Sequence, residues 1–431
     1  MENDLVGVGA GPANLSLAAL ITLARERGLI SIRSTFLEKN PAIFWHSGQL
    51  FPGTLMQTEF YRDLVTPIDP TSRFSFLNYL KSNGRLDQFL CSSSIWPTRR
   101  EFEDYFNWVA KQISDIIFAT TVQSVEYDPE TNLFVVEAEH GSGSRSQTRH
   151  ESKHIVLGSG SQPNSAIASS GVGHVVDVSA LLTFDIPNPS QRVLVIGGGQ
   201  SAAECINYLL DRYANVETHI TWVTRDTSFR ALDKGNFSRE TYSASYGHAF
   251  ALLPRQLREK IMRDDRNVAN GITPEIALAL YQRLYCLKYL SSPGGPSVHM
   301  QSNTEVLEVR DEAEGALVTA RALATGQTST DVYDCAILCT GFDDKTILES
   351  SMIGAELRRR ISKNEAPDGY AIAWDGPPDR MIFVQSQNRD THGLGDVNFI
   401  AAPGRNASIL NSIAGEEIYK IDNDDRLVAL G

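Results

Sequence analysis

The sequence is short of cysteine, of positive charge and of long apolar runs. Its five cysteines, Cys91, Cys205, Cys286, Cys335 and Cys339, are odd in number and form no Cys-x-x-Cys. That argues against a disulfide scaffold and a redox dithiol, and it suits reduced thiols in a cytoplasmic protein. Cys335 and Cys339, four apart in a predicted strand, are too distant from each other for a disulfide. The nine histidines show no metal-ligand spacing, so no metal site is expected. Lysine and arginine number 39 against 52 aspartates and glutamates, a net charge of -13. This argues against nucleic acid or an anionic membrane as the main partner. Leu5 to Leu23 is largely apolar, but it follows Glu2 and Asp4 in place of a basic segment, and glycines and asparagine interrupt it, which argues against a signal peptide. No other segment approaches the length of a membrane span, and a cytoplasmic location is expected. At 431 residues the chain is too long for one ordinary core, so two or three domains are expected.

What the sequence does have begins at once. The apolar run from Asp4 ends in Gly9-Ala-Gly11-Pro12-Ala-Asn14, and Leu15, Leu17, Ala18 and Leu20 follow at helical spacing. This pattern predicts strand, tight turn and helix. In a dinucleotide-binding loop the first glycine makes the turn and the second lets the backbone approach a pyrophosphate. The third position must be small for helix and strand to lie close. Asn14 is large for that place. Glu38 closes the next apolar run, Ser34 to Glu38, and an acid at that strand tip suits ribose hydroxyls.

A second unit follows a predicted boundary at Pro187 to Ser190. Arg192 to Ile196 reads as a strand, Gly197-Gly-Gly199-Gln200-Ser201-Ala202 as the turn, and Ala203 to Leu210 as the helix. The next strand, His219 to Thr224, ends on Arg225 where an acid would favour NAD. An arginine suits the extra 2'-phosphate, so NADPH is expected.

Between and after these units the reading is coarser. Helices are expected at Phe74 to Leu80 and Arg100 to Ile113, and a meander at Val122 to Ala138 with Ser152 to Leu157. Trp45, Met56 and Phe60 read as core filling unless other observations intervene. Ser228 to Leu290 is a helical insertion with helices at Leu257 to Met262 and Pro274 to Tyr289. Strands are expected at Ser297 to Val309, Leu317 to Ala322 and Tyr333 to Cys339. The last ends in Thr340-Gly341-Phe342, a turn of the kind laid against a flavin. A tail holds Met381 to Val384, Thr391-His392-Gly393 and a helix from Asn406. Two dinucleotide units describe a flavoprotein that takes hydride from a nicotinamide, since the two rings must be held face to face. Lacking a redox cysteine pair, it is a pure transfer enzyme or an oxygen-using monooxygenase.

Gly9 to Ser16, Phe44-Trp45-His46-x-Gly48, Met56-Gln57-Thr58, Asp63-Leu-Val65, Asp69-Pro-Thr71, Phe76-x-Asn-Tyr79, Gly199 to Glu204, Thr340 to Phe342 and Thr391 to Gly393 together resemble one family. It is the N-hydroxylating flavin monooxygenases, the lysine, ornithine and diamine N-monooxygenases of siderophore biosynthesis, and the resemblance covers essentially the whole chain. It implies an α/β fold of two Rossmann-like domains, for FAD and NADPH, with a small helical substrate-binding insertion. Residues 1–186 would start the FAD-binding domain and 187–345 form the NADPH-binding domain, with the insertion at about 228–290. Residues 346–431 would return to the FAD and substrate domain. Cofactor contacts are implied at Gly9, Gly11, Pro12, Asn14, Glu38, Trp45, His46, Met56, Gln57, Gly197, Gly199, Gln200, Ser201, Arg225, Thr340, Gly341, His392 and Gly393.

In that family reduced flavin captures oxygen as a C4a-hydroperoxide, a terminal amine of the substrate attacks its distal oxygen, and NADP+ stays bound. The amine must be neutral, against a reference value of about 10.4, so a dry pocket would help. No catalytic triad is expected, and orientation and exclusion of water carry the rate. By the resemblance Gln57 lies close to the flavin and substrate. Arg62 stands where the amino-acid hydroxylases have a lysine, and Arg239 where they have a substrate-reading asparagine. Asn270, in Val268 to Thr273, matches the lysine and diamine branch. The expected substrate is lysine or a related amine, cadaverine, putrescine or histamine, with O2 as co-substrate. The alternatives are ornithine N5-hydroxylation and oxidation of carbon or sulfur. Two arginines could grip a carboxylate or be solvated or structural charges. The family is often dimeric or tetrameric, so a homo-oligomer is expected.

Overall fold

Leu5, Val6 and Val8 are buried because the strand Glu2–Val8 runs through the middle of a seven-stranded sheet. A parallel strand covered on both faces reads as a continuous apolar run. The computed structural model describes all residues except 1, 93, 142–145, 165–166, 169–172, 187–190, 344–346, 363–369, 422–426, 429 and 431. The boundary expected at Pro187 to Ser190 thus lies outside the described residues.

Across the first sheet the strands run Ile116–Ile117, Ser34–Leu37, Glu2–Val8, Ser146–Leu157, Leu133–His140 and Thr120–Asp128. The first four are mutually parallel and the meander is antiparallel. Ser146–Leu157 pairs antiparallel with Leu133–His140 along its first half. Near its end Ile382–Val384 takes over the same role, parallel, from far along the chain.

The second sheet is wholly parallel, in the order Ser297–Gln301, His219–Val223, Arg192–Ile196, Cys335–Leu338 and Val175–Asp177. Its last strand precedes residue 187, so the sheet draws on chain that the sequence assigns to the first unit. Two other expected strands divide. Ser297 to Val309 breaks at Asn303, whose φ of 50° turns the chain, and Thr304–Glu312 leaves for a separate antiparallel sheet with Gly315–Ala322 and Thr328–Tyr333. Tyr333 to Cys339 breaks at Asp334, whose carboxylate accepts the amides of Gln191 and Arg192 at 2.7 and 2.8 Å.

Helices cover these sheets. Pro12–Glu26 is buried against Ala402–Ala414 and the aromatic helix Arg99–Ala110, whose Phe102, Tyr105 and Phe106 are fully buried. The helix expected from Asn406 starts at Ala402, because Pro403 fits the first turn without losing a hydrogen bond. The insertion between His219–Val223 and Ser297–Gln301 carries helices Ala244–Ala251, Arg255–Asp264, Arg266–Ala269 and Pro274–Tyr289. Both glycine loops sit at carboxyl ends of central strands, where open α/β sheets hold their ligands.

Candidate functional site

The first glycine loop is built by interlocking backbone. Gly9 has a φ of 81°, and a Cβ there would lie 2.6 Å from the carbonyl oxygen of Gly158. The glycines after Ser146–Leu157 are therefore packed against the first loop. A Cβ at Gly158 would in turn meet Asn14 Nδ2 at 2.5 Å. Asn14 donates to the carbonyls of Val8 and Gly9 at 3.2 and 2.8 Å, so it braces the turn. Glu38 accepts the Ala10 amide at 2.9 Å and the Asn40 amide at 3.0 Å, pinning the loop to the tip of the second strand. From beneath, Asn406 donates to Ala13 O at 2.8 Å. It is held by Gln385, which is held by Arg405, whose guanidinium meets Asp396 at 2.7 Å with both side chains fully buried.

The second loop repeats the design. Gly197 has a φ of 140°, and a Cβ there would lie 2.2 Å from the Cys339 carbonyl oxygen. Trp222 Nε1 donates to Gly197 O at 2.6 Å, and Thr224 Oγ1 fills the space beside Gly198. Gln200 donates to Glu204 at 2.8 Å and accepts the Thr273 amide at 2.8 Å, tying the loop to the insertion. Glu204 also meets Arg99 of the first unit at 2.8 Å, with side-chain exposures of 1% and 11%. Ser201 is half-buried, and Arg225 is exposed just beyond its strand with no ion pair among the described residues.

Neither glycine helix, Pro12–Glu26 or Gln200–Arg212, has a side chain capping its N-terminus. Their first-turn amides are thus available to an anion. A Cβ at Gly11, Gly199 or Gly341 would meet nothing within 4 Å, so each glycine leaves open space on its loop. Tight first glycines and open second ones fit a dinucleotide pyrophosphate at both loops.

The aromatic segment meets the Gly341 turn. Asn164 donates its amide to Gly341 O at 2.9 Å and accepts the Thr340 hydroxyl at its carbonyl. Phe342 lies with its ring 6.4 Å from His46, and Trp45 stands 4.6 Å from His46. Burial, with the Arg99 charge nearby, pushes His46 down to about 4. His392, stacked on Tyr370 at 3.9 Å, is pushed by burial to about 4 as well. Met56 lies in the main core, with Trp45 and Phe60 packed against it. Gln57 is half-buried, and its side chain makes no hydrogen bond among the described residues.

Two residues on, Glu59 is almost wholly buried and gathers two arginines. Arg239 donates to Glu59 Oε1, and Arg62 Nε lies 3.5 Å from Oε2. The arginine side chains are 29% and 30% exposed, so the cluster carries a net charge of +1 at a partly open face. Both arginines also act on Tyr242, whose hydroxyl burial pushes up to about 12. Among the described residues no helix is long and apolar enough to cross a membrane, and no group of side chains could hold a metal ion.

The L-lysine 6-monooxygenase/L-ornithine 5-monooxygenase family matches residues 2–344, most of the chain. The chain belongs to this family. It is 29% identical over 432 residues to an L-lysine N6-monooxygenase from Escherichia coli, covering 99% of this chain and 97% of that one. A FAD-bound cadaverine monooxygenase of the desferrioxamine pathway from Erwinia amylovora superposes with a TM-score of 0.87 at 26% identity, over 100% and 99% of the two chains. An ornithine N-hydroxylase from Kutzneria sp. 744, solved with reduced FAD, NADP+ and L-ornithine, gives 0.86 at 26% identity, over 96% and 99%.

As a member of this family the chain is a flavin-dependent N-monooxygenase, and its expected site residues fall into five groups. Gly9, Gly11, Pro12, Asn14 and Glu38 form one loop, and Gly197, Gly199, Gln200 and Ser201 another. Trp45 packs on His46, which lies beside Phe342 of the Thr340-Gly341 turn, while His392 stacks on Tyr370 beside Gly247 of the insertion and Gly393 lies against Tyr246 and Phe250. Arg62 and Arg239 meet through Glu59. Asn270 is exposed, with no side-chain hydrogen bond among the described residues. The sequence reading missed Glu59, whose only signal was an acid two places after Gln57. It also missed Arg99, Arg405 and Asp396, which look like surface charges until the fold buries them.

Proposed function

We propose that this monooxygenase N-hydroxylates the terminal primary amine of lysine, or of a related amine, to supply a hydroxylamine for siderophore biosynthesis, working as a cytoplasmic homo-oligomer. FAD belongs in the first loop and NADPH in the second. Bound there, the pair supplies hydride and activated oxygen, and the chain's own residues bind, orient and keep the site dry. The amides of the two uncapped helices hold the pyrophosphates, Glu38 takes ribose hydroxyls, and Arg225 takes the 2'-phosphate. Gln57, whose side chain has no hydrogen-bond partner among the described residues, reaches toward flavin and substrate.

The burial that pushes His46 and His392 down to about 4 would act in the same direction on an alkylammonium, from its reference value of about 10.4. A neutral amine is the form that can attack. The observation that carries the substrate reading is the Arg62–Glu59–Arg239 cluster. Its net positive charge favours the carboxylate of an amino-acid head group, whose α-ammonium can turn away, and disfavours a lone second ammonium. This supports lysine ahead of cadaverine, putrescine and histamine, with ornithine as the alternative that carries the same head group.

The test is hydroxylamine formation by the purified holoenzyme with NADPH and each of lysine, ornithine, cadaverine, putrescine and histamine. Lysine should give the highest kcat/KM. No hydroxylamine from any of them, with oxidation of a ketone or thioether instead, would overturn the reading. A preference for a diamine would overturn the role of the cluster.

A further inference from the structure

The insertion reaches the first unit through the turn from Asp233 to Arg239. The root of that turn is fixed, since Asp233 donates its amide to Asn267 O at 2.9 Å and its carboxylate accepts the Gly235 amide at 2.7 Å and the Ser238 hydroxyl at 2.6 Å. Two cations then leave it for the first unit. Arg239 donates to Glu59, and Lys234 places its Nζ 4.8 Å from the centre of the Trp96 ring. The Met56 amide donates to Pro97 O at 2.8 Å and the Phe60 amide to Ile95 O at 2.9 Å, so Trp96 lies alongside the segment that carries Gln57 and Glu59. Both cations thus hold the turn to one patch of the first unit. Phe237, between them in the chain, is 74% exposed, so its ring does not seal the turn down.

We propose that Lys234 is a positioning residue: seated on Trp96, it latches the Asp233–Arg239 turn shut over the amine substrate with Arg239 in place, and it lifts off the ring to let substrate in and product out. This rests on amine N-hydroxylation at that site. A cation on an indole at a partly exposed position is worth only about two- to fivefold in an equilibrium, and the Lys234 side chain is 23% exposed. Such a contact can break and remake within a turnover. Lys234 also lies 3.2 Å from Glu275, the first-turn acid of Pro274–Tyr289. That pair lies wholly within the insertion, so it keeps the ammonium in reach of the ring without itself joining the turn to the first unit.

Kinetics and hydrogen exchange on flavin-loaded, full-length variants test this. Lys234→Met keeps the stem and removes the cation, and Trp96→Leu removes the ring. Each should raise KM for the preferred amine about two- to fivefold and leave kcat within about twofold. Each should also send a larger share of the NADPH consumed to hydrogen peroxide in place of hydroxylamine, because an open turn admits water. The double variant should be no worse than either single one, and Lys234→Arg should rescue, since a guanidinium also stacks on aromatic faces. Glu275→Gln should leave KM unchanged. The amides of residues 234–239 should exchange faster in Trp96→Leu, although its change lies outside the turn. Effects of the two single variants that multiply, or a turn that exchanges in Trp96→Leu as in the wild type, overturn the latch. So does a Glu275→Gln variant that matches Lys234→Met while Trp96→Leu has no effect. If Trp96→Leu loses its flavin, the exchange of Lys234→Met decides in its place. Exchange needs no turnover, so it decides the latch even where no amine is hydroxylated, a result that overturns the proposed amine hydroxylation instead.

Discussion

Replacing Glu59 by glutamine keeps the shape of the side chain and removes the one negative charge between Arg62 and Arg239. The local charge rises from +1 to +2. For a diamine whose far ammonium comes to about 6 Å, one extra charge costs roughly 2–3 kcal/mol at an effective dielectric of about 20. The arginines are close to a third exposed, so solvent reduces this to about 1 kcal/mol, or about fivefold in KM. Lysine's zwitterionic head, with its carboxylate drawn in and its α-ammonium repelled, changes little. The kcat/KM ratio of lysine to cadaverine should therefore rise by about fivefold, measured by hydroxylamine formation on the flavin-loaded variant. Glutamine also loosens the arginines, which costs fold stability of about 1–3 kcal/mol, and urea titration would report that separately. If the ratio stays fixed while both KM values rise together, the cluster is structural and does not read the substrate.

Arg225→Ala should raise KM for NADPH by about tenfold or more, the worth of a charge-assisted phosphate contact, with little change for NADH; equal effects would refute phosphate reading. His46, His154 and His392 are all held down to about 4 by burial. Each takes up its proton at about 6.5 in the unfolded chain and only near 4 when folded. Its contribution is thus whole above 6.5 and is lost as pH falls toward 4, at up to about 1.4 kcal/mol per pH unit each. The buried carboxyls of Asp63 and Glu204, pushed up by burial, offset part of this. Histidine-labelled NMR at pH 5 should show the imidazoles of His46, His154 and His392 still neutral; protonation of these three at that pH would refute it.

Local patterns were legible where one segment carries its own signal. Pro274–Tyr289 and Arg192–Ile196 are the elements expected from periodicity, because proline opens the one and unbroken apolar residues fill the other. The glycine loops were legible because tight turns demand particular residues at particular places. Pairings across long separations were not. Val175–Asp177 is too short to show a period, and its place in the second sheet is fixed by Cys335–Leu338 far along the chain. Glu59 finds Arg239 across 180 positions, which no local pattern encodes. Asn14 was legible as a member of the family's loop despite its size, but its bracing role was not, since its bonds to Val8 and Gly9 appear only once the loop closes.

The Arg99–Glu204 pair gives the seam between the two nucleotide units a particular mechanical character. An apolar seam that parts must expose oily surface to water, so separation is costly at every step. Two buried ions of opposite sign behave differently, because water entering between them restores the hydration each lost on closing. This part of the seam is therefore wettable. It sets the register of the units when shut and adds little resistance when they part. Through Gln200 and Thr273, any such parting would be felt at once by the second glycine loop and by the insertion, coupling loss of cofactor grip to loosening over the substrate.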